Sequence, residues 1–372
     1  MDFSLSDEQR LLGENVGRFL RQHHPFAGRR ALAASDAGWD TNGWSVLVRD
    51  TGLPSLALPE AHDPVAMMVV MEQIGDTLPL LPFVETVVVA GNLLRAAGED
   101  AALRSLAAGE RTWAFAWAEP TSRYRFRDVA TTARPDGDDW VIEGKKATVT
   151  AAPWADTLIV TARTADARSD EAGISLFAVD CDTPGVTLHP YSTIDGRRAA
   201  DIVFDQVRLP AGALLGKLDA ALPILEQVGD AAIAALCAEA VGAMRRLHRD
   251  TIDYTRQRQQ FGKPIGEFQA IQHRLVDMLM KIELAEAATL RATLHLDADP
   301  IERARAASGA KAVVDDAARF VGEQAVQLHG GMGMTDELPI GHYFKRLLAI
   351  GAEFGTRDYH LARYAALPAR DV

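Results

Sequence analysis

The pattern of apolar and polar positions divides the chain into three stretches with different periods. In residues 1–111 the apolar side chains recur at helical spacing, beginning after a capping box that starts at Ser6. The first apolar run consists of Leu12, Val16, Phe19 and Leu20. Proline and glycine at 52–54 and 79–82 divide this stretch into several short helices. We therefore predict an N-terminal helical domain.

Between residues 112 and 212 the period shortens to that of β-strands. Runs rich in β-branched and aromatic residues recur, and turn signals such as Asp136-Gly137 and Pro184-Gly185 separate them. The runs lie at 113–118, 129–133, 140–143, 158–162, 174–180 and 202–209. Strands that follow one another without helical stretches between them are typical of antiparallel sheets. We predict a middle domain that is an antiparallel β sandwich or barrel.

From residue 213 to 372 the pattern is helical again, with longer helices. An alanine-rich pattern runs from Pro223 to about Arg258, a third helix is predicted at 301–329, and a fourth after Pro339. The stripe of the second helix consists of Phe268, Ile271, Leu275, Met278 and Ile282. Long amphipathic helices with short connections indicate an antiparallel four-helix bundle. The predicted fold is thus α+β and multi-domain, with domains at 1–111, 112–212 and 213–372.

The composition narrows the classes of function without naming one. The chain has 372 residues, 51 acidic and 39 basic, and its net charge of −12 argues against nucleic acid as the main partner. No apolar stretch approaches the roughly 20 residues that cross a bilayer, and residues 1–4 begin no signal peptide. Cys181 and Cys237 lack metal-binding spacing, and P-loop, GxGxxG and HExxH motifs are absent. We expect a cytoplasmic protein with no metal, no nucleic-acid partner and no membrane span.

Two clusters at helix ends of the predicted bundle carry candidate chemistry. The first, RQRQQFGKPIG at 256–266, places arginines before an aromatic residue and a Gly/Pro turn. These arginines could bind a phosphate, or they could complement the C-terminal dipole of the helix. The second, QLHGGMGMT at 327–335, has three glycines within four positions. Its backbone amides suit a pyrophosphate, and the alternative is a flexible connector between helices.

Together, these clusters and the α–β–α order resemble the acyl-CoA dehydrogenase family of flavoproteins over essentially the whole chain. The motifs that carry the resemblance are R-x-x-F-G-x-P-I…F-Q and Q-x-H-G-G-x-G-x-T. Within the family, HYFKR at 342–346, Phe354-Gly355 and His360 are most similar to the small subunit of pimeloyl-CoA dehydrogenase and related two-subunit bacterial enzymes. The resemblance implies FAD as the cofactor, an acyl-CoA substrate, and α,β-desaturation of the acyl thioester.

The resemblance also implies which residues of the bundle hold FAD. Arg258 would reach the pyrophosphate of an FAD on a neighbouring subunit, with Phe261 beside the adenosine, and Thr356 would lie near the adenine end. The residues that match the remaining pyrophosphate contacts are Gln269, Gln327, Gly330 and Gly331. Because these groups come from different chains, the family's sites imply at least a dimer and usually a tetramer.

In the middle domain the sequence matches some of the family's motifs and differs from others. Trp117 and Glu119 match the family's T-E-P strand beneath the isoalloxazine, and Thr150 matches the threonine of K-x-W-I-T near flavin O4 and N5. Thr148 stands where that motif has its flavin-stacking tryptophan. The glycine and serine that normally follow T-E-P are missing. The sequence there has Arg123 and Arg125, which could meet a CoA phosphate or could be solvated surface residues.

The largest departure concerns the catalytic base. The implied reaction removes a proton from the carbon α to the thioester, which requires a carboxylate in a desolvated site. Most members carry this glutamate at the position of Phe354 and a minority at that of Ala232, 26 residues before Arg258, so both positions are apolar here. Glu353 is the nearest carboxylate that could substitute. Asp230, two residues from Ala232, is rotated by about 200° on a helix and should point elsewhere.

Three functions follow from this departure. The first is a subunit of a heteromeric acyl-CoA dehydrogenase acting on a dicarboxylyl or similarly polar-ended acyl group, with electrons leaving to an electron-transfer flavoprotein. In that case a larger homologous subunit carries the base. The second is a non-catalytic scaffold that binds FAD or acyl-CoA. The third is a flavin-dependent monooxygenase on the same fold, which needs no carboxylate base. Assembly with a larger homologous subunit or with copies of this chain is expected.

Overall fold

The computed structural model describes residues 4–368 and divides into two compact units. Of the described residues, one unit comprises 4–30, Asp63–Pro79 and 233–368 and is mostly helical, and the other, Ala31–His62 with Leu80–Ala232, contains the eight-stranded sheet. Within residues 4–368 no helix is long and apolar enough to cross a membrane. The predicted order of a helical part, a β part and a helical bundle is confirmed. The predicted boundaries at 111/112 and 212/213 stay predictions.

Eleven α-helices occur within residues 4–368, and most of the long ones belong to the helical unit. They are α1 (Asp7–His23), α2 (Phe26–Ala34), α3 (Thr41–Thr51), α4 (Pro64–Thr77), α5 (Gly91–Ala97), α6 (Asp100–Ala107), α7 (Leu222–Gln257), α8 (Gln269–Leu294), α9 (Pro300–His329), α10 (Pro339–Ala352) and α11 (Arg357–Ala366). The predicted capping box is confirmed, since Ser6 and Gln9 exchange hydrogen bonds at the start of α1. The four helices predicted for the bundle are also confirmed, as α7 to α10.

Two glycines allow α4 and α7 to lie in close contact. A Cβ on Gly75 would stand 1.9 Å from the carbonyl oxygen of Glu239, and a Cβ on Gly242 would stand 1.9 Å from that of Glu72. Each helix therefore needs a residue without a side chain at the point where the other backbone passes. This contact fixes the part of α7 that carries Glu239, a residue of the candidate site described below.

The sheet of the second unit has eight strands. They are β1 (Trp113–Ala116), β2 (Thr132–Asp136), β3 (Asp139–Thr150), β4 (Thr157–Arg163), β5 (Ile174–Asp180), β6 (Val186–Ser192), β7 (Arg198–Leu209) and β8 (Leu214–Leu215). Their order is β6-β7-β3-β2-β4-β5-β8, with β1 beside β4. Most pairs are antiparallel as predicted, and β4 is parallel to β1 and β2. The core contains Val160, Phe177, Ile202 and Phe204.

Two strands differ from the sequence prediction in ways that bear on the site. β3 extends to Thr150, well past the predicted 140–143, because Lys146 is paired with a carboxylate inside the sheet and is fully buried. β6 was not predicted at all. It is an edge strand whose residues are mostly exposed and it contains Pro190, and such strands lack the apolar alternation that marks half-buried strands.

Candidate active site

A buried ion pair fixes the first group of predicted cofactor residues, in the sheet unit. Lys146 Nζ donates to Glu119 Oε1 and to Thr161 Oγ1, each at 2.8 Å. Glu119 also accepts from the backbone N–H groups of Ala130 at 2.7 Å and Thr131 at 3.0 Å. Burial lowers the pKa of Lys146 to about 8 against the opposing effect of Glu119. The Glu119 carboxylate therefore holds the segment after β1 in place, and its contact with a cofactor stays a prediction.

The same pair brings Trp117 beside β3. Lys146 Nζ donates to the Trp117 carbonyl at 3.3 Å, and the Ala147 N–H donates to the Ala118 carbonyl at 2.8 Å. The Trp117 ring packs against Phe126 with a centroid separation of 4.7 Å. The segments around Trp117 and Lys146 are almost 30 residues apart in sequence. In the structure they are hydrogen-bonded neighbours.

Thr148 and Thr150 lie at the end of β3, on the side of the sheet that faces away from its core. Val149 between them is buried in that core, whereas Thr148 is exposed and Thr150 is half-buried. Thr148 lies in a β-bulge with φ 54°, a conformation that a β-branched residue rarely adopts. Its N–H donates to Asp201 Oδ1 at 2.9 Å, which holds the bulge. Both threonines are therefore accessible to a ligand, as predicted cofactor residues must be.

In the helical unit, Arg258 and Phe261 belong to a hairpin that follows α7. Its strands are β9 (Gln259–Gln260) and β10 (Lys263–Pro264), and Phe261 and Gly262 form the tip with φ 55° and 81°. The Phe261 ring is 90% exposed, and a side chain at positive φ is unfavourable for phenylalanine. A strained backbone that presents a bare aromatic ring is typical of a binding element. Arg258, at the base of the hairpin, is also exposed.

The glycine-rich segment lies at the same end of the bundle. It forms a 3-10 turn, Gly330–Met334, directly after α9, and a Cβ on Gly330 or Gly331 would meet no heavy atom within 4 Å. The His329 ring stacks on Tyr254 of α7 with centroids 4.3 Å apart, and the Tyr254 hydroxyl donates to the His329 carbonyl at 3.3 Å. Because Tyr254 lies one helical turn before Arg258, this stack brings the two sequence clusters together. Gln327, two residues before His329, is exposed.

Gln269 and Thr356 lie at different parts of the bundle. Gln269 is the first residue of α8, directly after the hairpin, and is exposed. Thr356 is the N-cap of α11, and the charge of its neighbour Arg357 acts on Asp315 of α9. Asp315 precedes Gln327 by twelve residues, which is about 18 Å along the helix. Within one chain, Thr356 is therefore separate from the cluster around Arg258.

A buried arginine organises the segment where the resemblance implies a base in most family members. Arg346 of α10 is 2% exposed and binds Glu239 of α7 with both arms, Nε to Oε1 at 2.6 Å and Nη2 to Oε2 at 2.9 Å. Its Nη1 donates to Glu353 Oε1 at 2.6 Å. The carboxylate of Glu353, the candidate base within this chain, is thus engaged with a buried guanidinium.

The next residue, Phe354, is held by a buried histidine. His360 Nε2 lies 3.0 Å from the Phe354 carbonyl oxygen and its Nδ1 lies 3.2 Å from Ser308 Oγ, so the neutral ring donates to the carbonyl and accepts from the hydroxyl. Phe354 has φ 53°, and Gly355 leaves room for the histidine, because a Cβ there would stand 2.5 Å from Nε2. The backbone of segment 353–356 is therefore clamped at both Glu353 and Phe354.

This clamp predicts a loss of stability in acid. Burial lowers the pKa of His360 to about 3, so the ring is neutral in the folded chain while it takes up a proton near pH 6.5 when unfolded. The unfolded state then binds more protons between these values, and stability falls as the pH drops from about 6.5 toward 3. Replacement by glutamine, which has an N–H but no titration, should flatten this dependence in urea denaturation followed at several pH values. An unchanged slope would contradict the assignment.

Ala232 and Asp230, on the part of α7 in the sheet unit, are both buried. Ala232 is fully buried and Asp230 is 1% exposed, so neither side chain faces solvent. Within residues 4–368 no group of three or more His, Cys, Asp and Glu side chains could hold a metal ion.

Sequence reasoning missed the residues that position the site. Glu239, Tyr254 and the burial of Arg346 were not predicted, although Glu239 left a local signal. Glu239 is a lone charge in the apolar run at 236–241, and a charge in such a run is expected to have a buried partner. Which partner it has depends on the approach of α10 to α7, and no local pattern specifies that.

The exposed groups fit the FAD that the resemblance implies. The Phe261 ring offers a flat apolar face for a purine, Arg258 offers a guanidinium for a phosphate, and the unobstructed backbone at Gly330 and Gly331 offers room for a pyrophosphate. On the sheet, Thr148 and Thr150 offer hydroxyls for the polar edge of a flavin. These residues would hold the cofactor.

Comparison with known proteins agrees with these features. Residues 114–207 match the acyl-CoA dehydrogenase middle domain and residues 232–366 match the acyl-CoA dehydrogenase C-terminal domain. The acyl-CoA dehydrogenase FadE12 of Mycobacterium tuberculosis is 33% identical over 279 residues, which is 73% of this chain and 72% of that protein.

Solved structures with the same fold cover almost the whole chain. A variant of the Tcur3481-Tcur3483 steroid ACAD is 29% identical with a TM-score of 0.86 and covers 98% of both chains. The ChsE4-ChsE5 complex from Mycobacterium tuberculosis is 24% identical with a TM-score of 0.88, covering 99% of this chain and 100% of that one, and shows the fold. The chain belongs to the acyl-CoA dehydrogenase family of FAD-dependent oxidoreductases that act on the CH–CH bond of acyl-CoA thioesters.

Proposed function

We propose that this chain is one subunit of a two-chain acyl-CoA dehydrogenase in which a homologous, longer chain supplies the base. The observation that carries the proposal is that neither position where a base is expected has a carboxylate. Phe354 and Ala232 are apolar, and the nearby carboxylate of Glu353 accepts from the buried Arg346 at 2.6 Å. A carboxylate bound to a guanidinium is a poor proton acceptor, because the ion pair stabilises its ionised form.

The residues of this chain would then bind and orient ligands without removing the α proton. When bound, FAD supplies the acceptor for the electron pair that leaves the β carbon. Trp117, Thr148 and Thr150 would contact the flavin end of an FAD on this chain, with Glu119 holding their segment. Arg258 and Phe261 would contact an FAD whose flavin end lies on the partner.

In this proposal the two ends of each FAD are held by different chains, and further residues of this chain fit that arrangement. Gln269, Gln327, Gly330 and Gly331 lie with Arg258 and Phe261 at one end of the bundle. Thr356 begins α11 near Asp315, which precedes Gln327 by about 18 Å along α9. A separation of this kind supports contacts with two different FAD molecules or with two parts of an extended one. A dicarboxylyl or similar polar-ended acyl group and an electron-transfer flavoprotein as acceptor are proposed from the subgroup resemblance alone.

The proposal predicts a specific result for Glu353. Glu353→Gln in the flavin-loaded assembly should change kcat by no more than a few-fold, because the side chain positions a loop and does not take the proton. If Glu353 were the base, the same isosteric change would lower kcat by about 10²–10⁴-fold. Steady-state rates with an artificial electron acceptor distinguish the two. Ser45→Ala, on the exposed face of α3, serves as the control for handling and folding.

The surface that would meet the partner is an apolar stripe on α8, which we define as Val276, Leu279, Met280 and Leu284. Each of these four side chains is more than two-fifths exposed, whereas Met278, Ile282 and Ala285 on the opposite side of α8 are buried. A groove of about 480 Å³ continues the stripe toward the hairpin and is lined by Ile252, Thr255 and Leu275. An apolar helix face that continues to the base of the hairpin at Pro264 fits a homologous bundle better than a small ligand, because Phe261 at the tip of that hairpin is proposed to enter the partner's cofactor site.

Charges on this stripe should therefore break the assembly. The double change Met280→Glu with Leu284→Glu is expected to shift the protein to a smaller species in light scattering and to release FAD. Leu11→Glu is the matched control, since Leu11 on α1 is as exposed as Leu284 and receives the same change. An assembly that keeps its mass and flavin in the double variant would contradict the assignment of the stripe.

A further inference from the structure

Strands β6, β7 and β3 place an unassigned tyrosine in line with the threonines at the end of β3. Tyr191 on β6 pairs with Ala199 on β7, and Ala199 pairs in turn with Thr150 on β3. Side chains opposite one another in neighbouring strands lie on the same face of a sheet. Ala200 and Ile202, which alternate with this row, belong to the core, so Tyr191 and Thr150 share the face away from it.

The Tyr191 side chain is directed across β7 toward the bulge. Its hydroxyl donates to Asp201 Oδ1 at 3.4 Å, and the same oxygen accepts the Thr148 N–H at 2.9 Å. The pKa of Tyr191 is raised, chiefly by burial and also by the charge of Asp201, so the phenol is protonated and able to donate. Tyr191 is also 38% exposed. Asp201 thus ties a partly exposed aromatic ring to the bulge at Thr148.

The bulge itself carries little apolar surface. Position 148 carries a small side chain at φ 54°, exposed and directed away from the core. Thr148 offers one methyl and one hydroxyl group, which is too little apolar surface to cover a planar cofactor. Tyr191 is the aromatic residue whose hydrogen bond brings it to this point of the sheet.

We propose that Tyr191 is a cofactor-contacting residue whose ring forms the aromatic wall beside Thr148 and Thr150 at the flavin. The phenol is an electron-rich flat surface and the isoalloxazine is an electron-poor one, so the two stack favourably. The hydrogen bond to Asp201 sets the position of the ring. This inference rests on the proposed placement of the flavin at Thr148 and Thr150.

The test compares three variants of the flavin-loaded protein in the assembly in which it purifies. Tyr191→Ala removes the ring and should weaken FAD binding about three- to tenfold in titrations of the apoprotein. Tyr191→Phe keeps the ring and should leave the FAD Kd within about twofold. Thr187→Ala, an exposed residue of the same strand, should match the wild type.

Flavin fluorescence gives a second readout that a structural role for Tyr191 would not produce. A tyrosine in contact with a flavin quenches its emission by electron transfer, which phenylalanine does not do. Tyr191→Phe should therefore fluoresce more strongly than the wild type although it keeps its affinity for FAD, because it loses the tyrosine's share of the quenching while that of Trp117 remains. Tyr191→Ala should show both the stronger emission and the weaker binding. Circular dichroism on Tyr191→Phe and Tyr191→Ala verifies that each is folded.

Two outcomes would overturn the inference, and they are distinguishable. If the wild type binds FAD while fluorescence and Kd are unchanged in Tyr191→Ala and Tyr191→Phe, Tyr191 does not contact the flavin and the proposed function is unaffected. If Thr148→Arg and Thr150→Arg also leave FAD binding unchanged, the flavin does not lie on this face of the sheet, and the proposed placement fails together with the inference.

Discussion

Phe354→Glu is expected to raise the rate of flavin bleaching by an acyl-CoA about a hundredfold or more in the chain loaded with FAD. Position 354 is where the resemblance implies the base of most family members, and the structure keeps its backbone clamped. The His360 ring donates to the Phe354 carbonyl at 3.0 Å, and Arg346 binds Glu353 at 2.6 Å. A carboxylate introduced there inherits a fixed backbone, and the partial burial of position 354 raises the pKa of a carboxyl group.

Controls separate proton removal from a change in shape. Phe354→Gln has the shape of the glutamate without its basicity and should remain as slow as the wild type. The rate of Phe354→Glu should also rise with pH as the new carboxylate ionises, and the wild type should lack this step. Rapid mixing followed by flavin absorbance measures all three proteins. Equal rates for the glutamate and glutamine variants, both folded and flavin-loaded, would mean that position 354 does not face the substrate.

Arg346→Ala is expected to lower the free energy of unfolding by about 3–5 kcal/mol and the thermal midpoint by on the order of 10 °C. Arg346 is 2% exposed and binds two carboxylates, so its removal leaves Glu239 and Glu353 without their buried cation. Adding Glu239→Gln should recover part of the loss, because it removes one of the stranded charges. Chemical denaturation followed by circular dichroism measures each variant.

A surface arginine provides the matched control. Arg319 binds Glu323 one turn away on α9, but its side chain is 75% exposed, so Arg319→Ala should change stability by less than about 0.5 kcal/mol. A loss for Arg346→Ala as small as that of Arg319→Ala would show that the buried network does not hold segment 353–356. The clamp on which the Phe354 prediction depends would then have no basis.

The helical elements were predictable because their signals are local. The capping residues of α1, the alanine-rich period of α7 and the proline that begins α10 lie within a few positions of the structure they specify. The same holds for the hairpin tip, where Phe261 precedes a glycine in a tight turn. The resemblance added the roles of these residues, and family membership was then confirmed by the matching domains at 114–207 and 232–366.

The parts that were not predictable depend on contacts between distant residues. Lys146 reads as a surface lysine in sequence, and its burial follows from Glu119, 27 residues away. Arg346 reads as part of a basic run, and its burial follows from Glu239 on another helix, 107 residues away. The edge strand β6 lacks an apolar alternation because one of its sides is open. For both buried cations, the carboxylate that explains the burial is too far along the chain to belong to the same helical or strand pattern.

The most direct test of the partner-supplied base is rapid mixing of an acyl-CoA with this chain after it is purified without any homologous chain and loaded with FAD. We predict that the flavin absorbance near its visible maximum stays constant or falls only at a slow background rate. Addition of the homologous, longer chain should restore fast bleaching. Complete and fast bleaching by this chain alone would contradict the account, because it would require a competent base among the residues of this chain.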